Sequence, residues 1–309
     1  MNYQASTIKK PTTKKRTRRT KKQMEALRGA IHDLARDHRV CTVRHIYYLG
    51  IGLYWDKDTG GKRNNYSNVV RLAGQMREDN LLPWDWISDN TRWVRRPSMY
   101  LSAEDALDSW VKNYRRDLMA YQPLNVEVWC ESDSIAGVIE PITSRYGIEL
   151  FVCRGQASKA YVREAVMYYR QDRRPVHILF VGDWDPSGIA IGAAVNERIQ
   201  RYGNERVNLH FERIGVTADD VRSGRYTSHA SNRRDSNFKR FKAICADERL
   251  DPGLAVEVEA IPPGELRTRL ESAIEDRLDR DQWHASAVAE QSEREHLATM
   301  RTLMGDMRP

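Results

Sequence analysis

Two carboxylates, two positions apart at the end of an apolar run, are the residues of this chain best placed to do chemistry. Phe180-Val181-Gly182 leads into Asp183-Trp184-Asp185, and Pro186-Ser187-Gly188 then opens a helix. Alternation along a strand turns Asp183 and Asp185 to the same side, and the carboxyl end of a parallel strand is where such sheets place their sites. A second apolar run, Val126-Glu127-Val128-Trp129-Cys130, hands over to a helix through Glu131. Glu131, Asp183 and Asp185 can therefore converge on a hydrated Mg²⁺, for which Mn²⁺ can substitute, that also touches phosphate oxygens. Taken singly, a D-x-D after a strand is more often a helix cap or a turn. The partner glutamate within one α/β domain is what favours the metal reading. Asp133 is expected to cap the next helix rather than to bind metal, and Trp184 to pack.

Other chemistries find no support. The four cysteines, Cys41, Cys130, Cys153 and Cys245, form no C-x-x-C pair, and the eight histidines are scattered without H-x-x-x-H spacing. Zinc ribbons, disulfide scaffolds and His-ligated transition metals are not indicated, and a reducing cytoplasm fits. The net charge of +7 is unevenly spread: nine lysines and arginines fall between Lys9 and Lys22. Such a block self-repels until it meets a polyanion, so nucleic acid is the expected partner, with a solvated tail or targeting signal as the bland alternative. No run approaches the roughly 18–20 apolar residues of a membrane span, and the basic N-terminus reads as no signal peptide.

The elements that must position these residues follow from periodicity. Met24, Leu27, Ile31 and Leu34 predict a helix over 21–37; Thr42 can cap a second one carrying Val43, Ile46 and Tyr47 toward Tyr54; Tyr66, Val69, Val70, Ala73 and Met76 define a third. Trp84–Ile87 and Trp93–Arg95, parted by Asp89-Asn90, read as a hairpin. Three helices and a hairpin is the order of a winged helix, whose third helix, with Arg71 and Arg77, would face the DNA major groove while Arg92, Arg95 and Arg96 on the wing touch phosphate. A helix from Ser102 with Leu107, Trp110, Val111, Tyr114 and Leu118 on its apolar face reads as a connector. Beyond it, apolar runs at 126–130, 150–153, 176–181, 207–211 and 255–260 alternate with helical patterns, the signature of a mainly parallel sheet. Residues 223–242 read as a basic surface loop that orders on DNA. The expected division is a basic flexible tail at 1–23, a winged-helix domain at 24–100, a helical connector at 101–122, an α/β domain at 123–280 and a charged C-terminal helix or tail at 281–309.

These residues resemble a known family. Glu131 after one strand, Gly155 in the next strand-to-helix turn, and Asp183-x-Asp185-Pro-x-Gly after a third look like a Toprim domain. Val43-Arg44-His45-Ile46-Tyr47-Tyr48 is similar to the R-x-(I/L)-(Y/F)-Y motif of the A subunit of topoisomerase VI, the type IIB enzyme, and of the related meiotic double-strand-break protein. Ile214–Asp220 and Val256–Ala260 resemble later blocks of that family, so the likeness spans roughly 24–275, closest to the short mobile-element or phage versions called Mini-A. The resemblance implies an α/β protein with an N-terminal, mainly α winged-helix domain and a C-terminal Toprim-type domain whose mostly parallel sheet is flanked by helices. It also implies DNA cleavage by transesterification: Tyr48 would attack a phosphodiester and stay joined to the 5′ phosphate, with Arg44 steadying the phosphate and Glu131 serving as general acid or base as well as ligand. Tyr47 would pack. In the family the tyrosine of one protomer meets the metal of the other, which implies a homodimer. No ATPase fits in the remaining residues, so strand passage would need a separate B-type ATPase subunit. Two other readings compete: a Toprim nuclease that hydrolyses DNA with water, and a non-catalytic winged-helix DNA-binding protein whose acids cap helices.

Overall fold

The computed structural model describes residues 20–58, 65–88 and 97–306. Three helices come first. Helix α1 (Lys21–Asp37) starts where the Thr20 hydroxyl accepts the Gln23 N–H and the Gln23 side chain takes the Thr20 N–H; it buries Ala30, Ile31, Leu34 and Ala35. Thr42 caps α2 (Val43–Leu49) in the same reciprocal way with His45. Helix α3 (Asn65–Glu78) buries Val69, Leu72, Ala73 and Met76 against both, while the predicted Val70 turns outward and Leu72 fills the stripe that a 3.6-residue period demands.

The predicted first arm of a wing is not a strand. Trp84–Trp86 forms a 3₁₀ turn after Pro83, and Ile87 bridges to Cys41 in parallel. Arg77 shows why: its guanidinium donates to the carbonyls of Trp84 at 2.7 Å and Ile87 at 2.8 Å, occupying acceptors that a hairpin partner would use. The second arm, with Arg92, Arg95 and Arg96, and most of the basic tail lie outside the described residues.

Helix α4 (Ala103–Asn113) begins at Ser102, whose hydroxyl accepts the Asp105 N–H, and stops short of the predicted Tyr114 and Leu118. The C-terminal helix α11 (Arg280–Asp306) takes over there. Arg294 donates to the Tyr114 carbonyl and Glu290 accepts the Arg116 N–H, so these backbone groups are satisfied outside a helix.

Four strands, β1 (Asn125–Cys130), β2 (Leu150–Val152), β3 (Val176–Val181) and β4 (Leu209–Arg213), form an all-parallel sheet in the order β2-β1-β3-β4. Helices α5 (Asp133–Tyr146) and α10 (Pro263–Glu275) pack together, as do α6 (Lys159–Asp172) and α7 (Pro186–Gly203). One apolar core joins the first three helices to α5, α10 and one sheet face; a second, with Trp129, Val166, Phe180 and Val195, fills the other face. Cover on both sides explains the near-continuous apolar strands. Strand order reverses between β1 and β3, which opens a crevice at their carboxyl ends.

A fifth parallel strand at 255–260 does not form. Leu254–Ala255 (β6) pairs antiparallel with His229–Ala230 (β5), and Val258–Ala260 is a 3₁₀ turn. Its donors go elsewhere: Val256 and Trp184 exchange N–H···O bonds, and the Val258 N–H reaches Asp183. After helix α8 (Ala218–Ser223), the basic segment at 223–242 holds β5 and the start of α9 (Phe238–Asp247), anchored by a 2.8 Å bond from Ser187 to Asp235. Among the described residues no helix is long and apolar enough to cross a membrane.

Candidate functional site

The register of β1 on β3 brings the predicted acids together. Cys130 lies opposite Val181, the Glu131 N–H continues the ladder to the Val181 carbonyl at 3.1 Å, and the Asp183 N–H then donates to Glu131 Oε2 at 3.2 Å. Gly155, at φ +82°, donates its N–H to the Glu131 carbonyl at 3.2 Å. Gly188 makes the approach of α7 possible: a Cβ there would stand 2.5 Å from the Asp183 carbonyl oxygen and 2.9 Å from Glu131 Oε2. Asp183 Oδ1 accepts the Val258 N–H at 2.8 Å. Asp185 is the N-cap of α7, accepting the Gly188 N–H at 2.6 Å, yet its charge still reaches Glu131. Asp133 is not the cap of α5. Ser132 has that role, and Asp133 pairs with Arg154 at 2.9 Å.

Burial first, and then the Asp185 charge, push the Glu131 carboxyl up to about 7, against the opposing hydrogen bond from the Asp183 N–H. Burial, followed by Glu131 and Glu259, holds Asp183 well above the usual carboxylate range, and burial raises Asp185 as well. Arg213 braces the loop by donating to the carbonyls of Gly182 and Asp183, both at 2.9 Å, and of Gly188 at 3.0 Å; burial lowers its guanidinium to about 10. Glu131 and Asp183 face a crevice of about 450 Å³ lined also by Arg44, Tyr66, Ser134 and Glu259 among others, and Asp185 is not part of its lining. Carboxylate oxygens are the donors that Mg²⁺ prefers, and among the described residues Glu131 Oε2 is met by a single backbone donor. Among the described residues, however, no three His, Cys, Asp or Glu side chains stand in a geometry already set to hold a metal ion.

Helix α2 packs on the 3₁₀ turn at Val258–Ala260, and this contact joins the tyrosine to the acids. Arg44 Nη1 lies 3.2 Å from Glu257 Oε2 and 3.9 Å from Glu259 Oε1. On its other side is a cleft of about 600 Å³ lined by Arg44, Tyr48, Lys57, Tyr66, His229 and Glu257 among others. Tyr48 is 8% exposed. Burial, and then the charge and hydrogen bonding of Glu257, hold its phenol above the ordinary value, with Arg44 opposing. Tyr47 packs: its hydroxyl accepts the Asp58 N–H and its carbonyl the Trp55 indole N–H, both at 2.9 Å.

Arg44 thus lines both spaces, with Tyr48 bordering one and Glu131 and Asp183 the other. Arg77, whose guanidinium donates to the carbonyls of Trp84 and Ile87, also lines the crevice of Glu131 and Asp183, and Arg71 is exposed on α3. Sequence reasoning missed Glu257 and Glu259 as site residues, although their E-x-E spacing was visible, and Arg213, whose signal was only its place at the end of the strand beside β3. No protein-family model matches the chain, and no curated protein matches it.

Proposed function

We propose that this protein cleaves DNA by transesterification through Tyr48, with carboxylate-bound Mg²⁺ or Mn²⁺ as cofactor, in a winged-helix and Toprim arrangement like that of the A subunit of topoisomerase VI. The observation that carries this reading is Arg44: one guanidinium lines both the Tyr48 cleft and the crevice of Glu131 and Asp183. A phosphate drawn to it would lie between nucleophile and acids.

Glu131 and Asp183, with Asp185 beside them, would hold the metal, which when bound supplies positive charge for the phosphate. A phenol of pKa about 10 needs a base at neutral pH. Glu257 stands at the Tyr48 hydroxyl and takes its proton as the Tyr48 oxygen bonds to phosphorus. The P–O3′ bond breaks, the 3′ oxygen takes a proton from solvent, and the 5′ phosphate stays esterified to Tyr48. Glu257 and Glu259 hold Arg44 until phosphate replaces them. The ester conserves the energy of the broken bond, so cleavage needs no ATP. Cutting both strands takes two chains, a homodimer in which the tyrosine of one protomer would meet the metal of the other.

The test is supercoiled plasmid with Mg²⁺ or Mn²⁺, denatured with and without protease. Wild-type protein is expected to stay attached to the DNA ends and Tyr48→Phe to leave none. Continued cutting by Tyr48→Phe would mean hydrolysis by water. One observation favours a second reading, a DNA-binding protein without catalysis: Asp185 caps α7 and Arg44 is held by two glutamates. That reading prevails if the chain binds plasmid but leaves it intact with every divalent cation.

A further inference from the structure

We propose that Lys57 is a phosphate-binding residue of the Tyr48 cleft, its ammonium gripping the non-bridging oxygens of the phosphodiester under attack and then of the 5′ phosphate that results. The role in attack rests on the reading of Tyr48 as nucleophile; the phosphate site itself does not.

Lys57 is half-buried in the cleft wall that carries Tyr48 and Arg44, with Nζ 5.6 Å from the centre of the Tyr48 ring. It donates to the Ser228 carbonyl at 2.5 Å, which fixes the direction of the ammonium. An ammonium has three N–H donors, and among the described residues this is the one hydrogen bond Lys57 makes and no carboxylate forms an ion pair with it. The other charges facing it are committed. Asp58 accepts the N–H groups of Asn65 at 2.6 Å and Tyr66 at 2.9 Å, and Glu257 lies between Arg44 at 3.2 Å and His229 at 3.5 Å. A half-buried cation with two donors that no described residue takes up calls for an anionic oxygen ligand. Burial lowers the Lys57 pKa to about 8, against the pull of Glu257, so the charge is present below that pH and fades above it. In the proposed step the Tyr48 proton goes to Glu257, and Lys57 stays protonated throughout.

The experiment measures binding of a short single-stranded oligonucleotide carrying a 5′ phosphate against the same strand with a 5′ hydroxyl. Wild type is expected to prefer the phosphate, Lys57→Met to lose roughly tenfold of that preference or more, and Lys57→Arg to keep it. Raising the pH through 8 should weaken the preference in wild type but not in Lys57→Arg; an equal decline in both would point to another group and overturn the assignment. A Lys57→Met protein with the wild-type preference, or a wild type with none, overturns the proposal. If the Lys57-dependent preference is found while plasmid yields no tyrosyl adduct, the phosphate site stands and transesterification falls. If adduct forms and Lys57→Met changes neither readout, the reverse holds.

Discussion

Glu127 and Glu131 lie four positions apart, one inside β1 and one just beyond its end, and burial pushes both carboxyls up to about 7. Their surroundings differ completely. Glu127 is 0% exposed and enclosed by donors: the Tyr169 hydroxyl, the Trp129 indole N–H at 3.0 Å and the Asn125 amide at 3.2 Å. Glu131 has a backbone N–H, like-charged neighbours and an open crevice. Burial and a shifted pKa are thus common to a structural acid and a candidate ligand. Access and unused acceptor capacity separate them, since a carboxylate already surrounded by donors has nothing left to offer a cation.

The sharpest way to break this comparison is activity. Glu131→Gln is expected to cut tyrosyl-adduct formation roughly 10²- to 10⁴-fold, whereas Glu127→Gln leaves it unchanged; equal losses in a plasmid assay would erase the distinction. Stability should divide the pair the other way. Glu127→Ala strands the Tyr169 hydroxyl and the Trp129 N–H in the core and should cost about 3 kcal/mol in urea denaturation. Glu131→Ala, which removes a repelled charge at an open crevice, should cost less than about 1 kcal/mol.

The dependence on pH sharpens the contrast. Both glutamates bind protons more tightly folded than at their ordinary value of 4.5, so the folded protein keeps protons that the unfolded chain releases. Stability from these groups therefore falls as pH rises from about 4.5 to about 7 and levels beyond it. Glu127→Gln and Glu131→Gln should each flatten part of the decline between melting curves at pH 5 and pH 8. Mg²⁺ should recover the Glu131 part alone, so an undiminished Mg²⁺ shift in Glu131→Gln would place the cation elsewhere. The smallest effects concern α3: Arg71→Ala should lower the salt slope of DNA binding by about one with melting unchanged, while Arg77→Ala lowers the melting temperature by freeing the carbonyls of Trp84 and Ile87.

Much of the architecture was legible because its causes are local. Thr42 and Ser102 sit within three residues of the N–H groups they cap, the stripe of α3 repeats every turn, and the alternation of apolar runs with helical patterns announces a parallel sheet. The approach of Glu131 to Asp183 was legible for a related reason, since strands ending in acids within one parallel sheet end on the same side. The failures came where a backbone group found a distant partner. Nothing near Trp84 says that Arg77 will claim its carbonyl, and nothing near Val258 says that its N–H will turn to Asp183 instead of a neighbouring strand.

From its order of residues alone, the chain specified three leading helices, a parallel α/β sheet and a glutamate and two aspartates delivered to the carboxyl ends of its strands, because periodicity, caps and alternation act over a few positions. Folding decided that Asp185 caps a helix, that Arg213 braces the acidic loop, and that Arg44 reaches Glu257 across 213 positions to join the tyrosine cleft to the acids. Such contacts depend on how two buried faces settle against each other, a long-range balance of packing and charge that no stretch of sequence contains.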